Sequence, residues 1–244
     1  MSKSILILGA GSDIARACAH RYAAEGYAVR LAARNVTALE ADATDMHLRH
    51  RVAATTHAFD ALDTGGFAGF IDGLPELPDV VLSAVGFMGD QLDSQSDLEA
   101  ATIVLRSNFE GPALFLGLMA ERFEARGSGV LIGISSVAGD RGRASNYVYG
   151  AAKAGFTAFL SGLRNRFSRT EVKVITVKPG FVATKMTEGM DLNPRLTATP
   201  EAVAEAIRRA QSKGRDVIYV KSIWWLVMAI IRMLPEMIFK KTQL

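Results

Sequence analysis

The chain has 244 residues, 49% hydrophobic and 22% charged, with a net charge of +3. That length and apolar content suit one large globular domain and exclude a disordered chain, and the small charge without a Lys/Arg run gives no footprint for nucleic acid. Cys18 is the only cysteine, and the i, i+3 pair His47 and His50 has no companion ligand set, so neither a disulfide nor a metal centre is expected.

The N-terminal MSKS runs straight into a strand pattern without signal-peptide architecture, which predicts a cytoplasmic protein. Ile5 to Leu8 is a short apolar run ending at Gly9 and reads as a buried parallel strand. Gly9-Ala10-Gly11-Ser12-Asp13-Ile14 then opens a helix with Ala15, Cys18, Ala19, Tyr22 and Ala23 at helical spacing. A strand, a glycine turn and a helix start together form a dinucleotide pyrophosphate site, where free N–H groups and the helix dipole meet the anion. An ordinary tight turn is the alternative. Residues 27–33 read as the second strand, with Arg34 at its end. An acid there would hold a ribose 2′-hydroxyl, whereas an arginine accommodates a 2′-phosphate, so NADP(H) is expected ahead of NAD(H).

Residues 36–51 suit a short helix, 53–59 a third strand closed by Asp60 and Ala61, and 65–73 a loop and short helix. The fourth strand begins at Val80 and ends in Ser83-Ala84-Val85-Gly86, whose glycine admits a close ligand. Residues 97–121 are helical by period, but Asn108 in their middle is a poor interior helix residue and predicts a local irregularity or a functional amide. Residues 130–134 form the fifth strand and deliver Ser135 and Ser136 at its C-terminal end. A helix over 147–167 and a strand over 172–177 follow, then Lys178-Pro179-Gly180-Phe181-Val182-Ala183-Thr184 and a loop through Asp191, Asn193 and Pro194 with the character of a lid. Thr199-Pro200-Glu201 caps a helix to Ala210, and Val217 to Val220 is the last strand. The alternation predicts a single α/β domain, a doubly wound parallel sheet with helices on both faces.

Within this frame Tyr149 and Lys153 stand four apart, on one helix face, with Ser136 thirteen residues before the tyrosine. A cation beside a phenol favours the phenolate, which predicts a depressed Tyr149 pKa, and a serine hydroxyl polarises a carbonyl. Tyr147 has Ala151 at its i+4 position and lacks the partner.

The order of these landmarks resembles the short-chain dehydrogenase/reductase family over almost the whole chain, with a Rossmann-type fold. The resemblance implies an NAD(P)-dependent oxidoreductase in which Ser136, Tyr149 and Lys153 are catalytic and Asn108 supports a proton relay. It places Gly9, Gly11, Ser12, Asp13, Ile14 and Arg34 on the cofactor, with Asp60 and Ala61 at the adenine. Ser83, Ala84, Val85 and Gly86, together with Pro179, Gly180, Val182 and Thr184, complete that set, and Tyr149 and Lys153 also touch the nicotinamide end. Two departures stand out: Asp13 and Ala15 where the family's glycine turn has glycines nearby, and Ser83-Ala84-Val85-Gly86 where it has N-N-A-G. A narrower likeness, in FDALDT, AVGFMGD and the tail IIRMLPEMIFKK, is to decaprenylphosphoryl-2-keto-ribose reductases, and implies a keto-sugar on a polyprenyl phosphate. The family also implies a homodimer or homotetramer.

Residues 1–221 thus read as the dinucleotide-binding and catalytic domain, and 222–244 as its apolar and basic tail. Nine consecutive apolar residues from Ile223 to Ile231, with Trp224 and Trp225, are too few to span a bilayer. They suit either contact with the inner membrane surface or packing on the sheet or on a second copy. Arg141 and Arg143 are candidate ligands for a substrate phosphate, with a solvated loop as the alternative. The expected activity is reduction of a ketone; a soluble ketone or 3-oxoacyl substrate, and a non-catalytic dinucleotide-binding sensor or scaffold, are the rival readings.

Overall fold

A computed structural model describes residues 3–242. Seven parallel strands form one sheet in the order β3-β2-β1-β4-β5-β6-β7. In chain order the elements begin with β1 (Ser4–Leu8), α1 (Asp13–Ala23), β2 (Ala28–Ala33), α2 (Glu40–His50), β3 (Ala54–Ala58) and α3 (Phe67–Asp72). Then come β4 (Val80–Ser83), α4 (Gln91–Ser96), α5 (Leu98–Leu105), α6 (Gly111–Arg126), β5 (Gly129–Ile134) and α7 (Tyr147–Arg166). The chain closes with β6 (Val172–Pro179), α8 (Pro200–Ser212), β7 (Val217–Val220), α9 (Ile223–Met233) and α10 (Glu236–Phe239).

β1 is apolar along its length because both faces of the sheet are covered. Ile5 and Ile7 pack with Cys18, Tyr22, Met46 and Ile207 of α1, α2 and α8. Leu6 and Leu8 pack on the opposite face with Phe67, Phe115, Met119 and Phe156 of α3, α6 and α7. The sheet's strand order reverses between β1 and β4, and such a switch point opens a crevice at the carboxyl ends of the strands. The helical stretch holding Asn108 is broken into α5 and α6 by one π turn, Arg106–Glu110. This is the irregularity the asparagine signals, and π bulges gather at functional sites.

The tail packs on the body of the protein through one face of α9. Trp224, Met228 and Ile231 of α9 are buried with Val137, Leu196 and Tyr219. The outer face leaves Ile223, Trp225, Leu226, Ile230 and Met233 exposed, the last at 82%. No helix among the described residues is long and apolar enough to cross a membrane.

Candidate active site

Gly9 turns the chain out of β1 with φ +73, and a Cβ there would lie 2.9 Å from the Ala84 carbonyl carbon and the Val85 nitrogen. Only glycine lets the ends of β1 and β4 come this close. Ser12 caps α1, its hydroxyl accepting the Ala15 N–H at 3.2 Å. Two cavities share the floor built by Gly11, Ser12, Ala84, Val85 and Gly86. The first, ≈ 360 Å³, runs past Gly9, Ala33, Arg34, Asp60 and Ala61. The second, ≈ 260 Å³, contains Asp13, Ile14, Ser136, Tyr149, Lys153, Pro179, Gly180, Val182 and Thr184. Arg34 is exposed on the rim and makes no ion pair among the described residues.

This cleft fits an extended dinucleotide. One end offers an unpaired guanidinium, the middle a glycine turn with no Cβ to bar a pyrophosphate, and the far end the serine, tyrosine and lysine. Almost all of the expected cofactor residues line it. Ser83 is the exception: it is wholly buried inside β4, paired to β1 and β5, and only the three residues after it face the cleft. Asp13 is also redirected. Its carboxylate accepts the Lys185 N–H at 2.9 Å, tying the start of α1 to the loop after β6.

Ser136 and Tyr149 meet because the short turn Val137–Gly139 lies against α7. A Cβ on Gly139 would come 2.7 Å from the backbone of Lys153 and Ala154. Ser136 Oγ accepts the Ala138 N–H at 3.1 Å, which leaves its own proton free to donate. Ser135 is spent elsewhere, donating to the Lys153 carbonyl at 3.0 Å and bonded to Thr157 at 2.7 Å. Lys153 is 3% exposed, and its Nζ donates to the Ile134 carbonyl at 3.1 Å. Asn108 is fully buried behind Gly86. Its Nδ2 donates to the Phe87 and Val104 carbonyls at 2.5 and 2.8 Å, and its Oδ1 accepts the Phe87 N–H at 3.2 Å. Both amide hydrogens and one lone pair of the amide oxygen hold the loop after β4, and Asn108 lines neither cavity.

The electrostatics reverse one expectation. Burial pushes the Tyr149 phenol up to about 12, with the Ser136 hydroxyl pulling weakly the other way. Burial also brings Lys153 down to about 7. Its Nζ stands 5.7 Å from the Tyr149 ring centre, and loss of hydration, rather than attraction between the two groups, sets both values.

Arg141 does not reach the cavity. Its guanidinium donates to the carbonyls of Ile231 and Leu234 at 2.8 and 2.6 Å and to Glu236 at 2.8 Å, and lies 3.9 Å from the Phe239 ring centre. It caps the end of α9, so the phosphate-ligand expectation for Arg141 is overturned. Arg143 does line the cavity. Sequence reasoning missed Asn146, Lys185 and the apolar wall of Met88, Phe181, Met186 and Met190. The nearest signal was Asn146 at the start of the tyrosine's helix.

An open parallel sheet binds its ligand where the strand order reverses, and here that point brings a glycine turn together with a serine, a tyrosine and a buried lysine. The class so defined is the nicotinamide-dependent oxidoreductases. Residues 3–194 match the family model of short chain dehydrogenases, and the chain belongs to that family. An uncharacterised oxidoreductase of Mycobacterium tuberculosis is 34% identical over 240 residues, covering 97% of this chain and 96% of that protein. One from Streptomyces coelicolor is 36% identical over 243 residues, covering 98% and 95%. Among solved structures, a short-chain dehydrogenase from Sphingobium yanoikuyae in complex with NADPH superposes with TM-score 0.81 at 20% identity, covering 96% and 97% of the two chains, a likeness of fold. The chain is an oxidoreductase of this family.

Proposed function

We propose that this protein is an NADPH-dependent carbonyl reductase in which Tyr149 gives its proton to the oxygen of a ketone. The observation that carries the reading is the convergence of Ser136, Tyr149 and Lys153 on one cavity that continues into the dinucleotide cleft. Val182, Thr184 and Lys153, which line this cavity, would hold a reduced nicotinamide, whose chemistry when bound would be hydride donation. A phenol pushed up to about 12 keeps its proton at neutral pH, and it is still a far stronger acid than the alcohol that its proton creates. Ser136, whose hydroxyl lies beside the Tyr149 phenol and accepts the Ala138 N–H, polarises the carbonyl by donating its own proton. Lys153, poised near 7, exchanges protons with the site across the physiological range. Asn108 holds the loop that closes the back of this pocket. Arg34 would pair with a 2′-phosphate and Asp60 and Ala61 would border an adenine in the cavity they line, and the presence of Ser136, Tyr149 and Lys153 together speaks against a sensor or scaffold.

For the substrate, the resemblance to decaprenylphosphoryl-2-keto-ribose reductases supports a keto-sugar linked to a polyprenyl phosphate, ahead of a soluble ketone or 3-oxoacyl group. The apolar wall of the cavity and the exposed face of α9 both suit such an amphiphile. Arg232, Lys240 and Lys241 flank that face, while its one acid, Glu236, is neutralised by Arg141. This charge suits an anionic lipid surface. The test is NADPH oxidation with a panel of ketones that includes keto-sugars. Tyr149→Phe should lose about 10²-fold or more of the turnover; full turnover in that variant refutes the mechanism. For the tail, Trp225→Glu with Ile230→Glu should abolish co-sedimentation with anionic vesicles, and unchanged binding would remove the membrane contact.

A further inference from the structure

Around the start of α7 lie three buried polar atoms without hydrogen-bond partners: Arg143 Nε, Asn146 Oδ1 and Gln91 Nε2. Arg143 and Asn146 line the ≈ 260 Å³ cavity beside Tyr149. They belong to the segment between the Ser136 turn and α7, whereas the glycine turn and the loop after β6 build the phosphate-binding part of the cofactor cleft. Buried polar groups are partnered in the great majority of cases, so a group of orphans on a cavity wall marks the place of a ligand.

Each orphan departs from what its position would lead it to do. Asn146 is the N-cap residue of α7, where an asparagine ordinarily accepts a backbone N–H of the first turn. Its side chain caps nothing; the Val148 N–H is instead taken by Gln91 Oε1 at 3.1 Å. Arg143 makes no ion pair among the described residues, in contrast to its neighbour Arg141. Burial without a carboxylate lowers its pKa from the ordinary arginine value, a cost that an anion in the cavity would offset. Among the described residues the only acid on this cavity is Asp13, already bonded to the Lys185 N–H, while Arg143 and Lys185 bring positive charge to it. The same cavity is also lined by the apolar side chains of Met88, Phe181, Met186 and Met190.

We infer that Arg143 and Asn146 form a substrate subsite for a phosphorylated polyol, the guanidinium taking the phosphate and Asn146 Oδ1 accepting a hydroxyl. A guanidinium matches a phosphate by paired donors, and an amide oxygen requires a donor such as a sugar hydroxyl. The inference rests on the carbonyl-reductase reading for its ketone, but its test needs no turnover.

The test is calorimetric titration of the NADP⁺-loaded protein with ribose 5-phosphate and with ribose. The wild type should bind the phosphate ester roughly tenfold or more tightly than the free sugar. Arg143→Gln should erase that preference and Arg143→Lys should keep part of it, since a point charge replaces a fork. Asn146→Ala should weaken both ligands alike. NADP⁺ affinity should stay unchanged in Arg143→Gln, which separates this subsite from the cofactor's phosphates. Equal binding of the two sugars by the wild type, or an intact preference in Arg143→Gln, overturns the inference. A protein that shows the preference but reduces no ketone would strike the reductase reading alone. A ribosyl phosphate decyl diester decides who carries the phosphate: tighter binding than ribose 5-phosphate assigns it to a lipid, equal or weaker binding to a soluble sugar.

Discussion

Two lysines lie buried near the carboxyl ends of the strands, Lys153 at 3% exposure and Lys178 at 7%, and they are handled in opposite ways. Lys178 of β6 sits 2.5 Å from the Asp140 carboxylate, whose second oxygen accepts the Tyr219 hydroxyl at 2.7 Å. That network joins the turn after Ser136, the Pro179-Gly180 loop and β7. Lys153 has a single carbonyl and two aromatic rings, Tyr149 and Phe156, for company. A buried ammonium without a counter-charge loses its hydration uncompensated, and Lys153 responds by falling to about 7. The first lysine is settled by the protein's own carboxylate. The second is left to be settled by something that enters the cleft, which is the pattern of a functional cation.

Neutralising each lysine should therefore move stability in opposite directions. In the unliganded protein Lys153→Met removes a group whose folded pKa, about 7, lies below its unfolded value of 10.5. The unfolded chain binds the extra proton between these values, so stability rises with pH through that window and the burden is greatest at or below pH 7. Lys153→Met should accordingly be more stable than wild type by roughly 3–5 kcal/mol near pH 6, with the gap closing towards pH 10. The same variant should lose about 10²-fold or more in turnover. Lys178→Met strands the Asp140 carboxylate and should cost about 3–5 kcal/mol, most of it regained in the double variant with Asp140→Asn. Urea unfolding at pH 6 and pH 9 reads both arms. Two losses of equal sign would break the contrast.

Much of this was legible in the chain and some was not, for definite reasons. The fold was open to reading because the central strands β1, β4 and β5 are short apolar runs buried on both faces, and helices such as α8 declare themselves by period and cap, as Thr199 does there. The irregularity at Asn108 was legible from helix propensity. The identities of its partners, Phe87 and Val104, came only with the fold. Arg141 was misread because its acceptors are carbonyls of α9, ninety residues away in the chain. Asp13 was visible as a departure from the glycine turn, yet what occupies it is a backbone N–H 172 residues further on. The direction of the Tyr149 pKa depends on how deeply the phenol is enclosed, which no spacing encodes. For the tail, the sequence offered packing and surface contact as rivals. An amphipathic helix with one face against Leu196 and Tyr219 and the other in solvent has room for both.

Arg34 extends the contrast to its smallest case. Like Lys153 it has no carboxylate partner among the described residues, but it stands exposed on the cleft rim, where water meets its charge. Whatever it contributes must come from a contact made on binding, and screening keeps that contribution modest. Arg34→Ala should weaken NADPH by roughly tenfold while leaving NADH within about twofold, with protein stability unchanged within about 0.5 kcal/mol. The NADPH deficit should shrink as salt is raised from 50 to 500 mM, on the order of what screening does to an exposed pair. If both cofactors weakened equally, Arg34 would be packing against the adenine side rather than reading the 2′-phosphate, and the cofactor preference would have to reside elsewhere on the rim.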